Sequence, residues 1–133
     1  MANKDIMIVI SIGSNFEQEV HVGEAKRALG IFFPDITFSQ ALWTEPVGME
    51  SDDFLNLLAV ASTHRPLADV EAILKDIEKS CGRKTLDKEL GVVKMDLDIL
   101  LYDKMRLHEH DWERSYIKKL LATFPLLQEN KNK

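Results

Sequence analysis

The sequence predicts a single α+β domain in which a β-α-β-β-α-β core is followed by one more helix. Three observations predict it. Apolar runs of strand length recur near residues 6–12, 54–62 and 92–102. Between them lie two segments with apolar residues at three- and four-residue intervals, the spacing of a helix with one buried face. The 133 residues, 45% of them hydrophobic, suit one globular domain with a real core rather than two domains.

The first strand spans residues 6–12, where Ile6, Ile8, Ile10 and Ile12 alternate with Met7, Val9 and Ser11. Gly13, Ser14 and Asn15 turn the chain, and Ser14 and Asn15 are both residues that cap helices. Val22, Ala25, Ala28 and Leu29 form the apolar stripe of that helix, which should stop near Gly30. After Pro34 an extended segment is expected over residues 36–43, rich in β-branched and aromatic side chains. Residues 44–53 are irregular and acidic (Glu45, Glu50, Asp52, Asp53). Residues 54–62 are apolar at nearly every position, as a strand covered on both faces requires.

Pro66 opens a second helix with Leu67, Val70, Ile73, Leu74 and Ile77 on its buried side, and Gly82 closes it. A polar loop over residues 83–91 leads into a strand over 92–102. A last helix runs from about Trp112 to Thr123, with Tyr116, Ile117, Leu120 and Leu121 inward. This order is the split βαβ arrangement of ferredoxin-like domains, with an antiparallel sheet and an extra C-terminal helix. The domain is assigned to residues 1–128 and a polar tail to 129–133. The fold hosts many activities and decides none of them.

Composition narrows the classes. Seventeen Lys and Arg against 22 Asp and Glu give a net charge of −5, which argues against a nucleic-acid surface. The N-terminal apolar run is too short to cross a bilayer and lacks the pattern of a signal peptide. The single cysteine, Cys81, excludes an internal disulfide and fits a reducing, cytoplasmic setting. At a helix end it reads as a small core residue.

The strand Lys94-Met95-Asp96-Leu97-Asp98-Ile99-Leu100 is the most informative segment. Alternation sends Met95, Leu97, Ile99 and Leu101 to a core and Lys94, Asp96 and Asp98 together to the other face. Two like charges at that spacing repel. A hard divalent cation relieves the repulsion, and Mg²⁺ shared with substrate phosphates takes one or two carboxylates. A solvated strand face fits the same pattern, and both readings stand at this point. The loop before it, with Arg83, Lys84, Lys88 and Lys94 against Asp87 and Glu89, has the cationic excess a polyphosphate needs. His108 and His110 lack further ligands at zinc spacing.

Several motifs stand in a fixed order: I-G-S-N at 12–15, T-E-P-V-G at 44–48, D-F-L-N at 53–56, I-E-x-x-x-G-R at 77–83, D-L-D-I-L at 96–100, H-x(4)-E-R-S-Y at 108–116, and F-P at 124–125. Each is weak, but their order and spacing resemble the 6-hydroxymethyl-7,8-dihydropterin pyrophosphokinase family over nearly the whole chain. The resemblance implies a ferredoxin-like enzyme of folate biosynthesis that moves the pyrophosphoryl group of ATP, with Mg²⁺, onto the pterin hydroxymethyl group.

By that resemblance Asp96 and Asp98 hold the Mg²⁺ ions and share the catalytic work with Arg83. Asn56 bonds the pterin edge, Phe54 and Tyr116 bound its ring, and Thr44 and Val47 lie on a loop that contacts it through backbone groups. Glu78, Ile99, His108 and Arg114 match ATP-binding positions. The sequence departs from the family where arginines and an aromatic are usual, holding Thr85, Glu89, Leu90, Val93 and Lys94 there. Lys94 is then the expected substitute cation, since alternation sets it beside Asp96 and Asp98. The implied partners are ATP and a reduced pterin, with no nucleic acid or membrane, for a monomer or weak dimer. Two rival readings remain: a catalytically weakened homologue that binds pterin or nucleotide, favoured by the arginine-poor loop, and an interaction module that recruits a partner through the acidic segment 45–53.

Overall fold

The computed structural model describes residues 5–46, 51–82, 87 and 89–124. Among these, six strands form one antiparallel sheet: β1 (Ile6–Ser14), β2 (Thr37–Phe38), β3 (Leu42–Thr44), β4 (Phe54–Thr63), β5 (Asp96–Tyr102) and β6 (Met105–Arg106). β1 is central, between β4 and β5. β2 and β3 both pair with the far side of β4, and β6 closes the opposite edge on β5. With helices α1 (Gln18–Phe32) and α2 (Leu67–Ser80) this is the expected ferredoxin-like order.

The two faces of the sheet differ. Ile8, Ile10 and Ile12 of β1 join Leu55 and Leu57 of β4, Leu97 and Ile99 of β5, and the inner faces of α1 and α2 in the larger core. On the reverse face Val9, Leu58, Val60 and Leu100 are covered by Ile117 and Leu120 of a short helix, α4 (Ser115–Leu121). A four-residue helix, α3 (Glu109–Trp112), precedes it, so the one expected C-terminal helix is two. Arg114 is the break, extended at φ −68°, ψ 137°. Among the described residues no helix is long and apolar enough to cross a membrane.

Two one-residue irregularities interrupt the sheet. The extended segment 36–43 is split: Thr37 and Phe38 face Val60 and Ala59, whereas Leu42, Trp43 and Thr44 face Asn56, Leu55 and Phe54. Residues 39–41 are three against two, Leu57 and Leu58, so one residue is extra. Ser39 seals the bulge, its N–H donating to Leu58 O and its Oγ accepting from Leu58 N–H, both at 2.8 Å. The second irregularity lies in β5, where Val9 pairs with Leu101 but Ile10 pairs with Ile99. Leu100 is inserted, and Leu101 therefore turns to the α4 side, contrary to simple alternation.

The ends of elements also shift. Neither Ser14 nor Asn15 caps α1, which begins at Gln18 after Glu17 in a left-handed conformation. The strand expected from residue 92 starts at Asp96, because Val93 is already engaged with Asn15. α2 ends at Ser80, and Gly82 takes the left-handed turn (φ 88°) that suits a glycine just past a helix.

Candidate active site

The reverse face changes character at one level on all three central strands. Along β1 the side chains facing α4 run Met7, Val9, then Ser11, Gly13. Along β4 they run Val60, Leu58, then Asn56, Phe54. Along β5 they run Leu101, Leu100, then Asp98, Asp96. The apolar half lies beneath α4. The small and polar half forms the floor of a cleft of about 670 Å³, counting its open mouth.

The cleft gathers seven of the residues singled out in the sequence: Thr44, Phe54, Asn56, Asp96, Asp98, Arg114 and Tyr116. Register explains the floor. Gly13 is opposite Asn56 on one side and opposite Asp96 on the other, so the three form one row across the sheet. Asn56 is 7% exposed, and its Nδ2 donates to Thr44 Oγ1 at 2.5 Å. Arg114 reaches the rim through the break before α4, where its Nε donates to Asp111 Oδ1 at 3.1 Å.

Charge in the cleft is one-sided. Glu45, Asp96, Asp98 and Asp111 line it against one cation among the described residues, Arg114. Burial pushes the Asp98 carboxyl up to about 6, and the Asp96 charge beside it pushes the same way. His108 opposes that shift, with Nε2 3.8 Å from Asp98 Oδ1. Burial likewise raises the Tyr116 hydroxyl above its ordinary value.

Other expected residues surround the cleft rather than line it. Glu78 is no surface charge: it is 8% exposed, and its Oε2 accepts the Leu97 N–H at 2.8 Å. The backbone between the two aspartates is thereby tied to α2. The Ile99 side chain is withdrawn into the larger core, on the face opposite Asp98. Lys94 corrects its expected placement. It precedes β5, so alternation does not carry it beside the aspartates. Its Nζ donates to Gly82 O at 2.8 Å and pairs with Asp87 at 3.4 Å. Val47 and Arg83 lie outside the described residues, as do Lys84 and Lys88.

Sequence reasoning missed Ser11, Glu45 and Asp111 as lining residues and placed Gly13 in a turn after the first strand, whereas it lies within β1, paired on both sides. A signal existed for Ser11 and Gly13, two small residues at strand spacing that interrupt an apolar face. Asp111 stands three residues before Arg114 and is legible only once the turn between α3 and α4 brings the two side chains together.

A family model described as 7,8-dihydro-6-hydroxymethylpterin-pyrophosphokinase (HPPK) matches residues 9–125. The chain is 31% identical over 121 residues, covering 83% of its length, to the folate synthesis bifunctional protein of Arabidopsis thaliana. It is 33% identical, with the same coverage, to that plant's folate synthesis bifunctional protein, mitochondrial. It spans 25% and 22% of those two relatives. The matched region contains β4, β5, most of β1 and every residue that lines the cleft, and the chain belongs to the HPPK family.

Proposed function

We propose that this chain transfers the pyrophosphoryl group of ATP to the hydroxymethyl group of 6-hydroxymethyl-7,8-dihydropterin, in folate synthesis, and releases AMP. The observation that carries the reading is the row Asn56, Gly13, Asp96, in which one cleft joins an amide flanked by aromatics to a carboxylate pair. The amide end suits a flat nitrogen heterocycle held between Phe54 and Tyr116. The carboxylate end suits a metal-bound polyphosphate.

The donors present fit Mg²⁺. Asp96 and Asp98 are hard oxygen ligands whose mutual repulsion a divalent cation relieves. Among the described residues no group of three or more His, Cys, Asp or Glu side chains forms a complete cage. Two carboxylates are what Mg²⁺ takes when water and substrate phosphates supply its other ligands. When bound, the ion supplies neutralisation of the triphosphate charge.

In this reaction the pterin hydroxyl oxygen bonds to the β-phosphorus while the bond from that phosphorus to the α-bridging oxygen breaks, and AMP departs with that oxygen. The carboxylate pair orients the hydroxyl and takes its proton. Arg114, held by Asp111, offers a guanidinium to the phosphate charge, and Arg83 joins it by its match to the family. His108 stands at Asp98 on the nucleotide side. The protein acts on these small molecules as a monomer or weak dimer, and its one cysteine, buried and reduced, suits the cytoplasm.

The test is incubation with ATP, Mg²⁺ and 6-hydroxymethyl-7,8-dihydropterin, with mass spectrometry for AMP and the pterin diphosphate. Both products are expected, and Asp96→Ala should lower the rate about 10²-fold or more with an unchanged circular dichroism spectrum. Product from Asp96→Ala at the wild-type rate would overturn the carboxylate assignment. One observation favours a second reading, a homologue that binds without efficient transfer: Arg114 is the sole cation among the described lining residues. Binding of both ligands with no product would select it.

A further inference from the structure

Thr44 and Gly13 flank Asn56 from neighbouring strands, and both are there for identifiable reasons. Had β3 continued the register of β2, residue 43 would oppose Phe54, and Trp43 would face the cleft. The extra residue in 39–41 moves the pairing by one, and one step reverses every side chain. Thr44 therefore faces the cleft, and Trp43 is left 55% exposed on the other side. On the opposite flank, a Cβ at Gly13 would stand 2.8 Å from Asn56 Oδ1 and 3.8 Å from Phe54 Cδ2. Gly13 is paired on both sides within a regular strand, so the need for glycine there is space above the strand.

We infer that the Thr44 hydroxyl and the bare floor at Gly13 form a mount that fixes the Asn56 amide, and so determine which ring edge the cleft accepts. With Nδ2 engaged by Thr44 Oγ1, Oδ1 turns over Gly13 and presents an acceptor to a ring N–H. Remove the hydroxyl and the amide is free to rotate end for end, exchanging its donor and acceptor faces. Add a methyl at residue 13 and Oδ1 loses the place it occupies. Thr44 is thus a positioning residue acting through Asn56, in addition to any backbone contact its loop makes. This rests on the pterin reading of the cleft.

The experiment is calorimetric titration of the full chain with 6-hydroxymethylpterin, and separately with Mg²⁺ and a non-hydrolysable ATP analogue. Thr44→Val, which keeps shape and removes the hydroxyl, should weaken pterin binding about tenfold. Thr44→Ser should restore it to within about twofold of wild type. Both should leave nucleotide affinity unchanged and the melting temperature within about 2 °C, an effect that loss of structure alone would not give. Gly13→Ala should abolish measurable pterin binding while nucleotide binding persists. Wild-type pterin affinity in Thr44→Val, or equal losses in Thr44→Val and Thr44→Ser, overturns the role of the hydroxyl. Wild-type affinity in Gly13→Ala overturns the role of the floor. A wild-type chain that binds no pterin overturns the reading beneath this one, and the mount with it.

Discussion

Glu78 sits near the end of a helix, where a carboxylate in the sequence suggests either solvent or a ligand. Instead it closes onto the Leu97 N–H, between Asp96 and Asp98. Glu78→Ala would leave that buried donor without its acceptor and should cost about 1–3 kcal/mol in denaturant unfolding. Glu78→Gln, which keeps an acceptor oxygen, should cost less. Asp98 gives a second prediction. Its carboxyl is raised to about 6 by burial first and the Asp96 charge second, against an ordinary value near 4. The metal-free fold therefore holds this proton more tightly than the unfolded chain. Its contribution to stability is fully present below the ordinary value and is lost as pH rises through about 6. Mg²⁺ needs the ionised form, so its affinity should rise about tenfold per pH unit below 6 and level off above, as titration at several pH values would show. The identity of both aspartates was legible in the sequence, because alternation on a strand fixes which side chains share a face. Asp98's neighbours His108, Asp111 and Glu78 were not, since they arrive from other elements.

The elements that read most clearly were those with long uniform patterns. β1, β4 and α2 follow from period alone, and their buried faces are the ones expected. The misreadings cluster where a single residue is inserted. Nothing local marks residues 39–41 or Leu100 as bulged, because a bulge is defined by what stands across the ladder. The break at Arg114 is of the same kind: helical periodicity continues through it, yet the chain turns there and carries the guanidinium to the cleft. Deleting Gln40 tests the importance of the first bulge. The shortened strand would run without a bulge from Thr37 opposite Val60 to Thr44 opposite Phe54, so the variant should fold, by circular dichroism, and retain pterin binding. For α4, Leu120→Ala should cost about 2–5 kcal/mol, since Leu120 is fully buried against the sheet.

At the scale of the molecule the acidic balance carries into the cleft, where four carboxylates face one guanidinium among the described residues. Free ATP is a polyanion and should be repelled by such a surface, so its affinity should fall by about 100-fold or more when EDTA removes Mg²⁺. Calorimetry with and without chelator decides this. The order of elements was legible from length and pattern. The acidity of the cleft was not, because Glu45 and Asp111 belong to segments with no periodicity in common.

Helix α4 roofs only half of the reverse face, and beyond it the side chains shrink to Ser11 and Gly13. A chain that roofed the whole face would be more stable and would have nowhere to put a substrate. The unroofed half is therefore a vacancy in the architecture, sized for guests that are rigid, planar or highly charged. Ligands held there would serve as the rest of that layer, and the domain should be most resistant to unfolding with its cleft filled.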